Sequence, residues 1–196
     1  MKPRKHPRRL IHGLQVNHET DMFEARLNML NEAVDVYLLL ESNYTSYGSG
    51  KPLTFLNKFQ EGWLSQFQDK ILYILLPFFP KQGETDGWFA DSFLRLYLGT
   101  RGMPMISNLQ DDDIFLLLDA DELPTKESLM FLKAYDGWTE PVQFGFRWTN
   151  FGFYWLVTEE DGVMTKVLSK LFNTKRKERL LTLYVACSVG MLREGK

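Results

Sequence analysis

Five apolar residues run straight into carboxylates in "DDDIFLLLDADELP", Asp111 to Pro124. In extended chain, residues two apart point the same way. Asp119 and Asp121 at a strand end can therefore approach one hard cation. Mg²⁺ and Mn²⁺ prefer oxygen ligands, and Mg²⁺ uses one or two carboxylates completed by substrate phosphates. Such an ion would neutralise a diphosphate and stabilise it as a leaving group. The competing reading is an acidic loop leading into a helix N-terminus, where acids are favourable in any case.

Other polar residues stand at similar places. Asn17 and Glu19 follow one apolar run, and Glu41 and Asn43 follow another. Each can hydrogen-bond a base or ribose, and each can equally serve a turn or cap. Asn43-Tyr44-Thr45 is an N-glycosylation acceptor pattern, which makes Asn43 a modification site in a secretory setting. Asp91 and Arg95 lie four apart on a helical segment, the spacing of a stabilising ion pair or of a phosphate-facing arginine. His6, His12 and His18 are too widely spaced for a metal site: on one strand His12 and His18 would stand roughly 20 Å apart. No glycine-rich phosphate loop and no Ser-His-Asp spacing is present.

Strands and helices must bring these residues together. Apolar runs predict strands ending near Val16, over Val34–Leu40, over "KILYILLP" and over "DDIFLLLDADELP". Three- and four-residue spacings predict helices over "TDMFEARLNMLNEA", "LTFLNKFQEGWLSQF", "WFADSFLRLYLGTRGM" and "TKESLMFLKAYDG". Gly62 is a poor helix former within the second, Gly99 or Gly102 ends the third, and Thr125 caps the fourth. "PVQFGFRWTNFGFYWLV" alternates like one or two strands. A βαβαβαβαβ order predicts a parallel α/β sheet, whose ligands bind outside the carboxyl ends of the strands. Asn17–Glu19, Glu41–Asn43 and Asp119–Glu122 would then share one rim.

Composition limits the function classes. The chain has 196 residues, 44% of them hydrophobic and 14% aromatic, ample for a core. Residues 1–9 hold five Lys/Arg and no acids, and residues 166–196 hold eight Lys/Arg against two Glu. With a total charge of -2, the body between is strongly acidic. That argues against nucleic acid as a partner, and the basic ends read as solvated tails. A single cysteine, Cys187, permits no internal disulfide and reads as a small buried hydrophobe. No run reaches the roughly 18 apolar residues of a membrane span, so the chain is expected to be soluble, without signal peptide or anchor.

"PRRLIHGLQVNHETD", "ESNYTSYGSGKPLTF", "DGWFADSFLR", "DDDIFLLLDADELP" and "FLKAYDGWTEP", in this order, resemble the β-1,4-mannosyl-glycoprotein 4-β-N-acetylglucosaminyltransferases. These are the N-acetylglucosaminyltransferase III enzymes, which add the bisecting GlcNAc to N-glycans. The resemblance runs from about Pro7 to Trp155. It implies a GT-A-like (Rossmann-like) nucleotide-sugar fold, incomplete at its C-terminus. It implies UDP-GlcNAc as donor, the core β-mannose of an N-glycan as acceptor, and inversion at the anomeric carbon. Asp119 and Asp121 match the family's DxD, with Mn²⁺ (or Mg²⁺) as the ion, and Glu122 matches the acid after it. Asn17, Glu19, Glu41, Asp91, Arg95 and Asp119 become donor-side residues.

By the same resemblance the chain divides into a basic tail at 1–6, a transferase domain at 7–155 and a divergent basic segment at 156–196. Family members sit in the Golgi membrane, an anchor that this chain is not seen to carry. Inverting transfer needs a general base, and none is assigned. Glu159, Glu160 and Asp161 read as a solvated turn. The alternative to an active transferase is a truncated, non-catalytic product that keeps nucleotide binding or protein contacts.

Overall fold

The computed structural model describes residues 1–147, 149 and 180–194. The chain divides into two compact units, Met1–Val142 with Val185–Lys196, and Gln143–Tyr184. The first contains the parallel sheet. Strands β2 (Leu10–Val16), β3 (Val36–Ser42), β4 (Ile71–Leu76) and β5 (Ile114–Leu117) stand in the order β4-β3-β2-β5. All three pairings are parallel, with Ile11 opposite Val36, Tyr37 opposite Ile71 and Leu10 opposite Ile114.

Two helical layers cover this sheet, and the two-residue period of the strands decides which side chains meet which layer. On one face Leu38, Leu40, Ile74 and Phe115 pack with Leu98, Met103 and Ile106, which follow helix α3 (Gly87–Tyr97). On the other, Tyr37 meets Phe23 of helix α1 (Thr20–Leu30) edge-on, and Phe23 meets Phe55 of helix α2 (Thr54–Gln60) at 5.5 Å. Helix α4 (Lys126–Ala134) is capped by Thr125, whose hydroxyl accepts from Ser128 N–H at 3.3 Å. Strand β1 (Lys2–Pro3) pairs with β6 (Tyr135–Asp136).

Several expectations need correction. The helix expected over "LTFLNKFQEGWLSQF" stops at Gln60. Gly62 adopts φ +88°, its N–H bonds to Phe59 O, and Trp63 N–H bonds to Lys58 O. Those two bonds close a Schellman motif, so Gly62 terminates the helix. The α3 segment does continue to Gly102, but as a wider turn over Leu98–Gly102. A side chain at Gly102 would come within 2.6 Å of Ile74 Cδ1, so this glycine lets the turn sit close against the sheet. The fourth strand stops at Leu117, two residues short of Asp119.

The sheet also gains a strand that periodicity does not announce. Strand β8 (Leu180–Ser188) runs antiparallel to β5, with Cys187 opposite Phe115. Burial raises the half-buried Cys187 thiol to about 11. Helix α5 (Val189–Glu194) follows. The basic N-terminus is not left to solvent: Arg4 pairs with Asp136 at 2.8 Å and Asp112 at 2.6 Å, and Arg9 pairs with Asp113.

Strand β7 (Val142–Arg147), in the second unit from Gln143 onward, alternates half-buried and exposed positions, with Phe144 and Phe146 in ring contact at 6.1 Å. The rest of the aromatic segment lies outside the described residues, apart from Thr149, as do Glu159, Glu160 and Asp161. Among the described residues no helix is long and apolar enough to cross a membrane.

Candidate functional site

A cleft of about 380 Å³ opens at the carboxyl ends of the parallel strands. Asn17 and Glu19 line it beyond β2, Ser42 at the end of β3 and Lys51 in the loop that follows, and Asp119 and Asp121 beyond β5. Asp91 closes it from α3. This is the rim on which ligands bind in open α/β sheets.

At the α3 side the polar groups form one closed arrangement. Arg95 Nη2 donates to both oxygens of Asp119, at 2.6 and 2.8 Å, and its Nε donates to Asp91 at 3.0 Å. Gln15 Nε2 donates to Asp91 and, at 3.3 Å, to Asp119. The spacing of Asp91 and Arg95 thus makes the ion pair it suggests and also ties α3 to the turn after β5. Gln15 escaped the sequence reading because a lone amide inside an apolar strand reads as noise. The available signal was its place as the last polar residue of β2 on the face that meets α3.

The Asp119–Glu122 turn is held from below by Arg26 of α1. This arginine is 1% exposed, and its Nη2 donates to the carbonyls of Asp119, Ala120 and Glu122 at 2.8, 2.8 and 2.9 Å. Burial lowers its pKa to about 10, against the pull of Tyr37 and the three acids of the turn. Glu122 closes the turn from within, accepting from Asp119 N–H at 2.9 Å. Burial raises the Glu122 carboxyl, with Asp119 and Asp121 adding to the rise and the Asp119 N–H opposing it. The sequence did hold a signal for Arg26: it falls on the apolar stripe formed by Phe23, Leu27 and Leu30.

Arg26 also sets the state of His12, which is fully buried. Arg26 Nη1 can only donate, so His12 Nε2, 2.8 Å away, must accept. The proton then sits on Nδ1, which faces Leu116 O at 3.3 Å. Burial, and then Arg26, hold the His12 pKa well below 6.5. The sign follows by linkage: the unfolded chain binds a proton here that the folded chain refuses. Stability is complete above pH ~6.5 and falls as the pH drops below it, by up to ~1.4 kcal/mol per pH unit for this one proton. Urea unfolding at pH 7.5 and 5.5 should show that slope reduced in His12→Gln. Equal slopes in the two proteins would rule the account out.

The remaining expected residues are placed as follows. Glu41 is fully buried and is not on the cleft wall: its carboxylate accepts from Phe55 N–H at 3.0 Å, Leu56 N–H at 3.1 Å and Tyr73 O–H at 2.7 Å. It thereby satisfies the first turn of α2, a helix start with open N–H groups. Glu19 accepts from the N–H groups of Asn17 and His18 at 2.9 and 3.0 Å. Asn43 is half-buried, and its side-chain oxygen is shielded and has no hydrogen-bond partner among the described residues.

Among the described residues no group of three or more His, Cys, Asp or Glu could enclose a metal. Asp121 is exposed and lines the cleft, while Asp119 is engaged by Arg95. Such a donor set suits an ion that takes one or two carboxylates and completes its shell with phosphate oxygens and water.

Residues 1–177 match the sequence model of glycosyltransferase family 17, beyond Trp155 where the resemblance was expected to fade. The human β-1,4-mannosyl-glycoprotein 4-β-N-acetylglucosaminyltransferase is 43% identical over 153 residues, covering 78% of this chain and 29% of that protein. The rat and mouse proteins of the same name are 42% identical, with 28% of their length covered. The chain therefore spans less than a third of these relatives. No solved structure matches it. Over most of its length, and with its strand-end acids set on the rim of a parallel sheet, this chain belongs to glycosyltransferase family 17.

Proposed function

We propose that this chain forms the donor-binding part of a GT-A-like transferase that moves GlcNAc from UDP-GlcNAc to the core β-mannose of an N-glycan. Transfer inverts the anomeric carbon and depends on Mn²⁺ or Mg²⁺, in a Golgi setting. The observation that carries this reading is the Asp119–Glu122 turn, held by Arg26 at the cleft rim in a chain 43% identical to a named GlcNAc transferase.

In this reading Asp121 would be the principal carboxylate ligand of the ion, with Asp119, which Arg95 engages, beside it. An ion held there would supply positive charge to the departing diphosphate. Arg95 adds a second positive group to the same diphosphate, as arginines do in phosphate recognition. Asn17 and Glu19 present polar groups to the nucleoside, and Gln15 with Asp91 keeps the α3 side in register. Glu41 serves the site indirectly, by fixing the start of α2.

Thermal unfolding with UDP, with and without Mn²⁺, tests the binding half. UDP at ~100 times its Kd should stabilise by ~2.7 kcal/mol, a rise of ~5–10 °C for a chain of this size, and Mn²⁺ should be required for most of it. A flat response to UDP with Mn²⁺ would refute the reading. GlcNAc transfer to a biantennary N-glycan tests the catalytic half. Binding without transfer would instead favour the non-catalytic alternative.

A further inference from the structure

We propose that Lys51 is a binding residue for the nucleoside end of the donor, its ammonium donating to a carbonyl oxygen of the base. This inference rests on the donor-binding reading above and adds a residue to it. Lys51 lines the cleft. Its Nζ is shielded from solvent and has no hydrogen-bond partner among the described residues. An ammonium taken out of water with none of its three donors used is costly, so the position is one that a ligand would relieve.

The backbone around it is firmly set. Lys51 N–H donates to Asn43 O at 2.8 Å, Thr45 N–H to Ser49 O at 2.8 Å, and Tyr44 bridges Gly50. The loop therefore fixes the Cα of Lys51, and its four side-chain carbons give the ammonium the length to meet a ligand in the cleft that the residue lines.

Two features favour a neutral acceptor over a phosphate. The first is charge. Glu41 and Glu19 already act on this ammonium, opposing the burial that lowers its pKa. A phosphate brought to Lys51 would also face those two carboxylates, whereas a carbonyl adds no charge. The second is place. Lys51 belongs to the loop after β3, and Asp121 follows β5, with β2 between them. Two strand spacings amount to ~10 Å, so a diphosphate held near Asp121 leaves the Lys51 end of the cleft to the nucleoside.

Isothermal titration of the intact chain and of Lys51→Met tests this with three probes: UDP, uridine, and inorganic pyrophosphate with Mn²⁺. The variant should bind UDP and uridine ~10-fold or more weakly, as for loss of a charged hydrogen bond. It should bind pyrophosphate with Mn²⁺ as wild type does. Its ligand-free melting temperature should be unchanged or higher, because an unpartnered ammonium has been removed; a merely structural lysine would lower it.

Undiminished UDP and uridine binding by Lys51→Met would overturn the assignment while leaving the donor reading intact. So would a loss confined to pyrophosphate, which would place the ammonium on the phosphates. Absence of UDP binding by wild type would overturn the donor reading and Lys51 together.

Discussion

Asp121→Ala should abolish the Mn²⁺-dependent part of UDP binding and lower GlcNAc transfer by at least ~10²-fold, since even groups that only hydrogen-bond to a metal's ligands cost ~10–100-fold when mutated. Its melting temperature without ligand should stay within ~2 °C of wild type. The two halves of this expectation have separate physical origins. Asp121 is exposed at the cleft, and an exposed side chain away from caps and cores changes stability by about 0.5 kcal/mol at most. A shell completed by phosphates, on the other hand, has few protein ligands to lose. Asp119→Ala makes a poorer test, because it also takes away the carboxylate to which Arg95 and Gln15 donate. Loss of Asp119 mixes binding with local structure, and the paired thermal scans should show both a lower baseline and a lost response. An Asp121→Ala protein with the full Mn²⁺-dependent shift would remove the metal role from this turn.

The contrast between these two aspartates shows what sequence pattern could and could not carry. Runs such as "YLLLES" and "IFLL" announce parallel strands because burial on both faces demands continuous apolar residues. Once the strands alternate with helices, the carboxyl-end rim follows, and Asn17, Glu19, Asp119 and Asp121 fall on it. Glu41 shows the limit. It stands at the same kind of strand end, yet it points to the α2 face with Tyr37, and the open N–H groups of Phe55 and Leu56 engage it. Spacing does not say which of two competing acceptors a donor will choose. Gln15 and Lys51 were missed for a related reason: a single polar residue in an apolar or loop context has no period to reveal it. Strand β8 was missed because antiparallel addition beside β5 depends on a partner far away in the chain.

Arg26→Met should be the most damaging single change to the fold of the site. Met approximates the length of the stem but cannot donate. The carbonyls of Asp119, Ala120 and Glu122 and the Nε2 of His12 would lose their partner together. A buried acceptor left unsatisfied costs ~1–3 kcal/mol. Removing the cation also relieves its own desolvation, visible in the lowered pKa of about 10, and relaxation of the turn would let water reach some of the carbonyls. A net loss of ~3 kcal/mol is expected, a fall of ~6–12 °C in melting temperature. Arg26→Lys should recover little of it, because one ammonium cannot reproduce a planar fork that serves three carbonyls on one side and an imidazole on the other. Lysine at this position should also leave the Asp119–Glu122 turn loosely held, so the Mn²⁺-dependent response to UDP should shrink even at temperatures where the variant is folded. Differential scanning of wild type, Arg26→Met and Arg26→Lys, each with and without UDP and Mn²⁺, separates the two effects. A melting temperature within ~2 °C of wild type in Arg26→Met would show that the turn does not depend on this guanidinium. A full UDP and Mn²⁺ response in a destabilised variant would show that Arg26 supports the fold without setting the geometry of the site.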